Sequence, residues 1–171
     1  MKNRVSLLFL LFILNLSTPI FSTDSTYLQV TSFINQQPLS GTGSFIKFES
    51  IDLLNNVEFS KDNTTFKVLQ SGIYLLAFSA QCASNEFGAT GFVDVWFEKN
   101  GKPLQGSNTR ASVDSKDSVQ VLNCLNINKF EAGDKVAVVF SASGPGVGIS
   151  AFIQQSRPSV SSAQLVLIKV E

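Results

Sequence analysis

FKVLQSGIYLLAF, from Phe66 to Phe78, is the stretch that decides the fold class. Its first part alternates apolar and polar residues as far as Ser71-Gly72, and its second part is an unbroken apolar run. Gly72 permits a tight turn or a positive φ without a Cβ penalty. The run that follows is too short and too rich in β-forming residues for a helix of useful length, so residues 73–82 read as a central strand. A strand with one wet face alternates apolar and polar residues. Here Ile73, Leu75 and Ala77 on one face answer Tyr74, Leu76 and Phe78 on the other, so both faces need cover. Helices over a parallel sheet supply it in one architecture, and a second subunit against an antiparallel sheet supplies it in another.

The rest of the chain selects the second. Alternating or apolar segments at 27–33, 44–48, 56–59, 92–98, 119–127, 135–140, 149–154 and 165–168 read as short strands, separated by Gly-, Pro-, Asn- and Ser-rich loops. Residues 106–118 read as a polar loop, and Asn100-Gly101 is a strong local hairpin signal. Helical periodicity is missing after the N-terminal segment, as are an internal repeat and a Gly-X-Y run. Without helices the crossovers cannot cover a parallel sheet. The expectation is an all-β, antiparallel, two-sheet jelly roll of about ten strands. Residues 135–140 and 165–168 are, like 73–82, apolar on both faces.

At 171 residues the chain has room for one domain with a core that needs no staples. Fifteen Phe against a single Met and a single Trp fit an all-β composition, and zero formal net charge argues against a nucleic-acid binder. Lys2 and Arg4, an apolar run over residues 5–14 and a small residue at Ser22 form the three-part pattern of a secretory signal peptide. That run falls short of the ~20 apolar residues of a spanning helix. The expected organisation is a signal peptide at 1–22 and one domain at 23–171, with no membrane span after cleavage. Losing Lys2 and Arg4 leaves 11 basic against 13 acidic residues, a net charge of −2. In an exported chain Cys82 and Cys124 are candidates for a disulfide, the other reading being two small buried core residues.

The chain has no histidine, which removes imidazole bases, Ser-His-Asp and Cys-His nucleophile systems, and imidazole metal sites together. The carboxylate pairs Glu49 with Asp52, Asp114 with Asp117, and Glu131 with Asp134 each fall at a turn or polar loop where solvation accounts for them. No nucleophile, base and orienting group can be named, so an enzyme is not expected. The Gly144-Pro-Gly-Val-Gly148 loop lacks the Lys-Ser/Thr and the helix of a phosphate cradle. Trp96, between Val95 and Phe97, reads as a core or interface residue in preference to a sugar-stacking one. Carboxylates of the 110–117 loop, with backbone carbonyls, are of the type that holds Ca²⁺, yet no motif supports a specific site, and no cofactor is expected.

Phe48, Phe59 and Phe66 precede Gly72, Tyr74 and Phe78 at intervals that resemble the aromatic signature of the C1q globular-head family, within the C1q/tumour necrosis factor jelly-roll superfamily. Lys99-Asn100-Gly101 and Gly133-Asp134-Lys135-Val136 resemble two of its turns. Leu54 stands where the family has Asn or Asp, Leu76 replaces its middle aromatic, and the last strand lacks its Phe-x-Gly. The resemblance implies a ten-stranded jelly roll, assembled as a compact homotrimer with one sheet of each subunit facing the threefold axis. It implies that residues 73–82, 135–141 and 165–170 share that sheet, so Ile73, Leu75, Ala77, Ala137 and Val139 become the expected trimer contacts. The functional expectation is a secreted, head-only binding module. Its end loops, with Arg110, Asp114, Lys116 and Asp117 as candidates, would recognise an extracellular protein, glycan or cell-surface ligand. The alternative is a structural trimer of an extracellular coat, appendage or matrix.

Overall fold

The computed structural model describes residues 25–39, 43–84, 89–115 and 118–171. The segment read as a signal peptide, together with Lys116 and Asp117, lies outside the described residues. The described residues form thirteen strands and no helix. They are β1 (Tyr27–Ser32), β2 (Ser44–Phe45), β3 (Ser50–Asn55), β4 (Val57–Phe59), β5 (Thr65–Val68), β6 (Gly72–Ser84) and β7 (Gly91–Lys99), then β8 (Lys102–Pro103), β9 (Thr109–Val113), β10 (Val119–Phe130), β11 (Lys135–Ala142), β12 (Val147–Ile149) and β13 (Ala163–Lys169). One sheet, sheet A, runs β10-β6-β13-β1-β3, with β12 also pairing β6. The other, sheet B, runs β4-β5-β11-β7-β8, with β2 on β11 and β9 on β7. Each of these pairings is antiparallel, and the two sheets form the expected jelly roll.

β6 is the longest strand and the spine of sheet A. Its parity is as the family resemblance implies: Tyr74, Leu76, Phe78, Ala80 and Cys82 are buried in the sandwich, while Ile73, Leu75, Ala77, Ser79 and Gln81 point outward and are half-buried. From the opposite sheet Phe66, Val93, Val95, Phe97, Val136, Val138 and Phe140 close the same core. At one end the Tyr74 ring meets Phe130 edge-on, centroids 5.7 Å apart, and its hydroxyl donates to the Gln70 carbonyl at 2.7 Å. A buried phenol thus keeps a partner for its polar tip.

Of the two readings of Gly72, a tight turn or a positive φ, the second does not hold, and the glycine is required by close packing. It is absent from the positive-φ glycines, but a Cβ there would collide with the Glu171 carbonyl oxygen and the Lys169 side chain. Close approach by the end of the chain, which bonds the Ile73 amide to Glu171 O at 2.8 Å, leaves no room for a side chain. The Asn100-Gly101 hairpin forms as predicted, with φ of 52° and 74°, the left-handed pair that suits a tight turn between twisted strands. Asn100 also reaches across to the β10–β11 turn. Its Nδ2 donates to Asp134 Oδ1 at 2.7 Å, and its Oδ1 accepts from the Lys135 amide at 2.8 Å.

Four strands escaped the sequence reading. β12 falls largely in the segment read as a Gly-rich loop, and the strand expected over 149–154 is reduced to its first residue and an isolated bridge at Phe152. β3 is an edge strand paired only with β1 across a bulge, and β8 is the short return arm of the hairpin. β9 lies inside the segment read as a polar loop. Arg110 and Ser112 make it look polar, but Val113 is fully buried, Ala111 packs against the core, and the strand pairs with β7 from Gly91 to Val95.

Candidate functional site

The outer face of sheet A is built from the outward residues of three adjacent strands, and the register fixes them in rows. One row is Ile127, Leu75 and Ile168; the next is Leu125, Ala77 and Val166. Leu125 and Ile127 on the edge strand β10 are 68% and 67% exposed, and Val121 further along the same edge is 56% exposed. The third row is polar, Asn123, Ser79 and Gln164, and continues into Thr31 on β1. Beside it Asp52, from the bulged edge β3, accepts from Thr31 Oγ1 at 2.5 Å and from Gln29 Nε2 at 3.3 Å. Burial pushes the Asp52 carboxyl up, and the bonds from Thr31, Ser50 and Gln29 outweigh it, holding the group below the ordinary carboxylate range. The result is an apolar field bordered on this side by Asn123, Ser79, Gln164 and Thr31, with the Asp52 carboxylate bonded to Thr31 beyond them.

Ile73, Leu75 and Ala77 therefore sit together on this face. Ala137 and Val139 do not. β11 belongs to sheet B, between β7 and the β5 and β2 strands, and the inference that it shares a sheet with β6 and β13 is corrected. Val139 points away from the core, yet it is only 3% exposed and Ala137 only 5%. The chain itself covers Val139. β2 pairs with it at Phe45, and a Cβ added at Gly43 would lie 2.7 Å from Val139 Cγ1 and 2.8 Å from the Trp96 ring. The third strand of the apolar face is β10. Its odd positions Val119, Val121, Leu125 and Ile127 carry the signal, masked by the intervening Gln120, Asn123, Asn126 and Asn128.

Arg110 lies on β9 and not in a loop. Its Nε and one terminal nitrogen donate to the two carboxylate oxygens of Asp94, both at 2.8 Å, and its guanidinium stacks 3.6 Å from the centroid of Phe92. A forked pair over an aromatic face orders the side chain. Asp114, the next acid along, is exposed just beyond β9. The pair Glu131 and Asp134 is likewise engaged. Asp134 accepts from the Glu131 amide at 2.7 Å and pairs with Lys99 at 2.8 Å, while Glu131 pairs with Lys129 at 3.0 Å. Among the described residues no group of three or more acids or cysteines is placed to hold a metal ion.

The cysteines are free and both belong to sheet A. In the β6–β10 register Cys82 faces Gln120, four residues from Cys124. Four residues of strand span roughly 14 Å, against a Cα separation of at most ~7 Å for a disulfide. The bridge considered from sequence is excluded in this register, and the buried-core reading holds. Burial pushes the Cys82 thiol up to about 12. Cys124 is also raised by burial, and its Sγ donates to the Ser107 carbonyl at 2.8 Å.

Of the core or interface placement expected of Trp96, the core is excluded. Its neighbours Val95 and Phe97 point inward, and Trp96 lies half-buried on the outer face of sheet B, its Nε1 donating to Glu98 Oε1 at 3.2 Å.

No family model and no curated protein matches the sequence. Solved structures do resemble the fold. The globular domain of zebrafish complement 1qA protein is 16% identical, with a TM-score of 0.55 over 86% of this chain and 98% of that one. Murine APRIL at pH 8.0 is 15% identical, with a TM-score of 0.57 over 85% of this chain and 99% of that one. A second structure of murine APRIL, at pH 5.0, gives 13% identity and a TM-score of 0.54, covering 85% and 99%. With two antiparallel sheets in this order and these likenesses along most of its length, the chain has the C1q/TNF-like jelly-roll fold.

Proposed function

We propose that the protein is a secreted binding module that assembles as a homotrimer through the outer face of sheet A. In this reading it recognises an extracellular protein, glycan or cell-surface ligand through the loops at the ends of its sandwich. The observation that carries the reading is the pair of apolar rows, Ile127-Leu75-Ile168 and Leu125-Ala77-Val166, on a sheet face that the described residues leave open. Contiguous exposed apolar surface of this kind marks an interaction site, and a polar row along one side fits the rim of such an interface. A closed ring of three copies buries the same face of each, and three weak ligand sites then act together. Arg110, ordered by Asp94 and Phe92 but still exposed, and Asp114 beside it are the candidate contacts for a ligand.

Light scattering is the direct test. The mature protein should have three times its protomer mass, and Leu125→Asp combined with Ile127→Asp should reduce it to one. A monomeric wild type, or a variant that stays trimeric, overturns the assembly. Saturable binding on a glycan array or to a purified extracellular protein, lost in Arg110→Ala, distinguishes recognition from a purely structural trimer.

A further inference from the structure

We infer that a cleft on the outer face of sheet B, with Trp96 as its aromatic wall, is a binding site for a neutral sugar ring. The cleft is open to solvent, has a volume of about 340 Å³ and is lined by Trp96, Pro103, Leu104, Gln105, Gly106 and Asn108. That volume is at the lower end of the ~300–1,000 Å³ typical of small-molecule sites. The site lies away from the apolar rows of sheet A and does not use Arg110, so it stands independently of the assembly and of the end loops.

The side chains define the ligand class. Trp96 is not needed to fill the sandwich, since Val93, Val95 and Phe97 of the same strand do so. Its hydrogen bond to Glu98 and the close approach of Gly43 fix the ring, and the part that lines the cleft is an apolar surface of the kind that accepts the C–H face of a pyranose. In the same lining, the exposed amides Gln105 and Asn108 each offer donors and an acceptor, which suits adjacent hydroxyls that must both give and receive hydrogen bonds. No charged residue is among the six that line the cleft, which disfavours phosphorylated or acidic ligands.

The wall carrying these amides is held from beneath. Ser107 is 1% exposed, and its hydroxyl donates to the Leu104 carbonyl at 2.8 Å while accepting from the Phe97 amide at 3.0 Å. The Leu104 amide returns to the Phe97 carbonyl at 2.8 Å, and the Cys124 thiol holds the Ser107 carbonyl from the other sheet. The turn bearing Gln105 and Asn108 is thus fixed relative to Trp96 before any ligand arrives, which lowers the ordering cost of binding. Cys124 acquires a role that a disulfide would have precluded.

Trp96 is the only tryptophan in the chain, so its emission reports on this site alone. The test titrates the assembled protein with the methyl glycosides of glucose, galactose, mannose and N-acetylglucosamine. At least one should shift Trp96 emission saturably, with a midpoint on the order of 1 mM for a ligand of this size. Gln105→Ala and Asn108→Ala, both at exposed positions, should each weaken it by about fivefold to tenfold. Trp96→Ala should abolish saturation-transfer signals from the sugar protons. An emission change that is linear in concentration for every glycoside, or absent, overturns the site. A saturable change that survives the Gln105→Ala/Asn108→Ala double variant does so too. Because light scattering reads the trimer separately, a trimer without sugar binding removes this inference and leaves the assembly standing.

Discussion

On β6, Leu75 and Ala77 alternate with the core residues Tyr74, Leu76 and Phe78; on β11, Ala137 and Val139 alternate with Val136, Val138 and Phe140. By sequence the two strands are equivalent, each apolar on both faces. In the fold they lie in different sheets and are covered in different ways. Val139 is roofed by the approach to β2, where Gly43 fits closely over it and Trp96. Leu75 and Ala77 stay half-buried with no cover from the other described residues, flanked by the exposed Leu125 and Ile127. Strand parity reports that a face is dry; whether the chain or a neighbour keeps it dry is decided by connections far away in sequence.

The comparison breaks most visibly with a carboxylate. Leu76→Asp places an unpaired charge inside the sandwich and Val139→Asp places one beneath the β2 roof. Each should cost several kcal/mol, comparable with the ~5–15 kcal/mol stability of a whole domain. Both proteins should lose their β-sheet circular dichroism. Leu75→Asp, on the open face, should keep that signal, with light scattering showing one third of the wild-type mass. A folded Val139→Asp protein would mean that the roof is not what buries this face. An unfolded Leu75→Asp protein would mean that the protomer depends on its partners for stability.

How much was legible follows from where the constraints lie. The parity of β6, the Asn100-Gly101 hairpin and the two-sheet class depend on local alternation and turn chemistry, and both are written in a few consecutive residues. Sheet membership was not legible in that way: β11 was inferred to share a sheet with β6 and β13, and only the pairing register shows that β10 does. Residues 119–127 read as a strand, but their place on the apolar face is hidden because polar residues interrupt both faces of β10, Asn123 outward and Asn126 and Asn128 among the inward positions. The role of Trp96 needed the fold as well. Only pairing with β9 and β11 shows that its face of β7 is the outer one, and only the turn at Leu104 to Asn108 turns an exposed ring into a cleft.

A smaller effect tests how sheet B is closed at its hairpin end. Burial raises the Asp134 carboxyl, but Lys99, the Glu131 amide and Asn100 together outweigh it and hold the group below the ordinary 3.8. A carboxyl depressed in the folded state contributes stability above its unfolded value and loses that contribution as pH falls through the lower folded one. Asp134→Asn should therefore cost about 1 kcal/mol near neutral pH, read from the urea midpoint. The difference between the two proteins should vanish as the pH drops below 3.8. A difference independent of pH would assign the cost to packing and not to the charge.

The smallest expected effect is none at all, and it separates packing from covalent stapling as the cause of the sandwich's cohesion. A bridge between the two sheets would stabilise by ~2–4 kcal/mol and make the urea midpoint fall on reduction. Here Cys82 and Cys124 share sheet A, displaced by four residues of register, and are 0% and 1% exposed. Reductant should leave the midpoint where it is. Burial, which raises both thiols, keeps them in their unreactive protonated form. Ellman's reagent should therefore find no thiol in the native protein and two in the denatured, unreduced one. A midpoint that drops on reduction, or a denatured chain without free thiols, would require β10 to slide along β6 by about four residues. An even slip keeps every side chain on its own face, but it would replace the Leu125-Ala77 and Ile127-Leu75 pairs on which the open rows of sheet A depend.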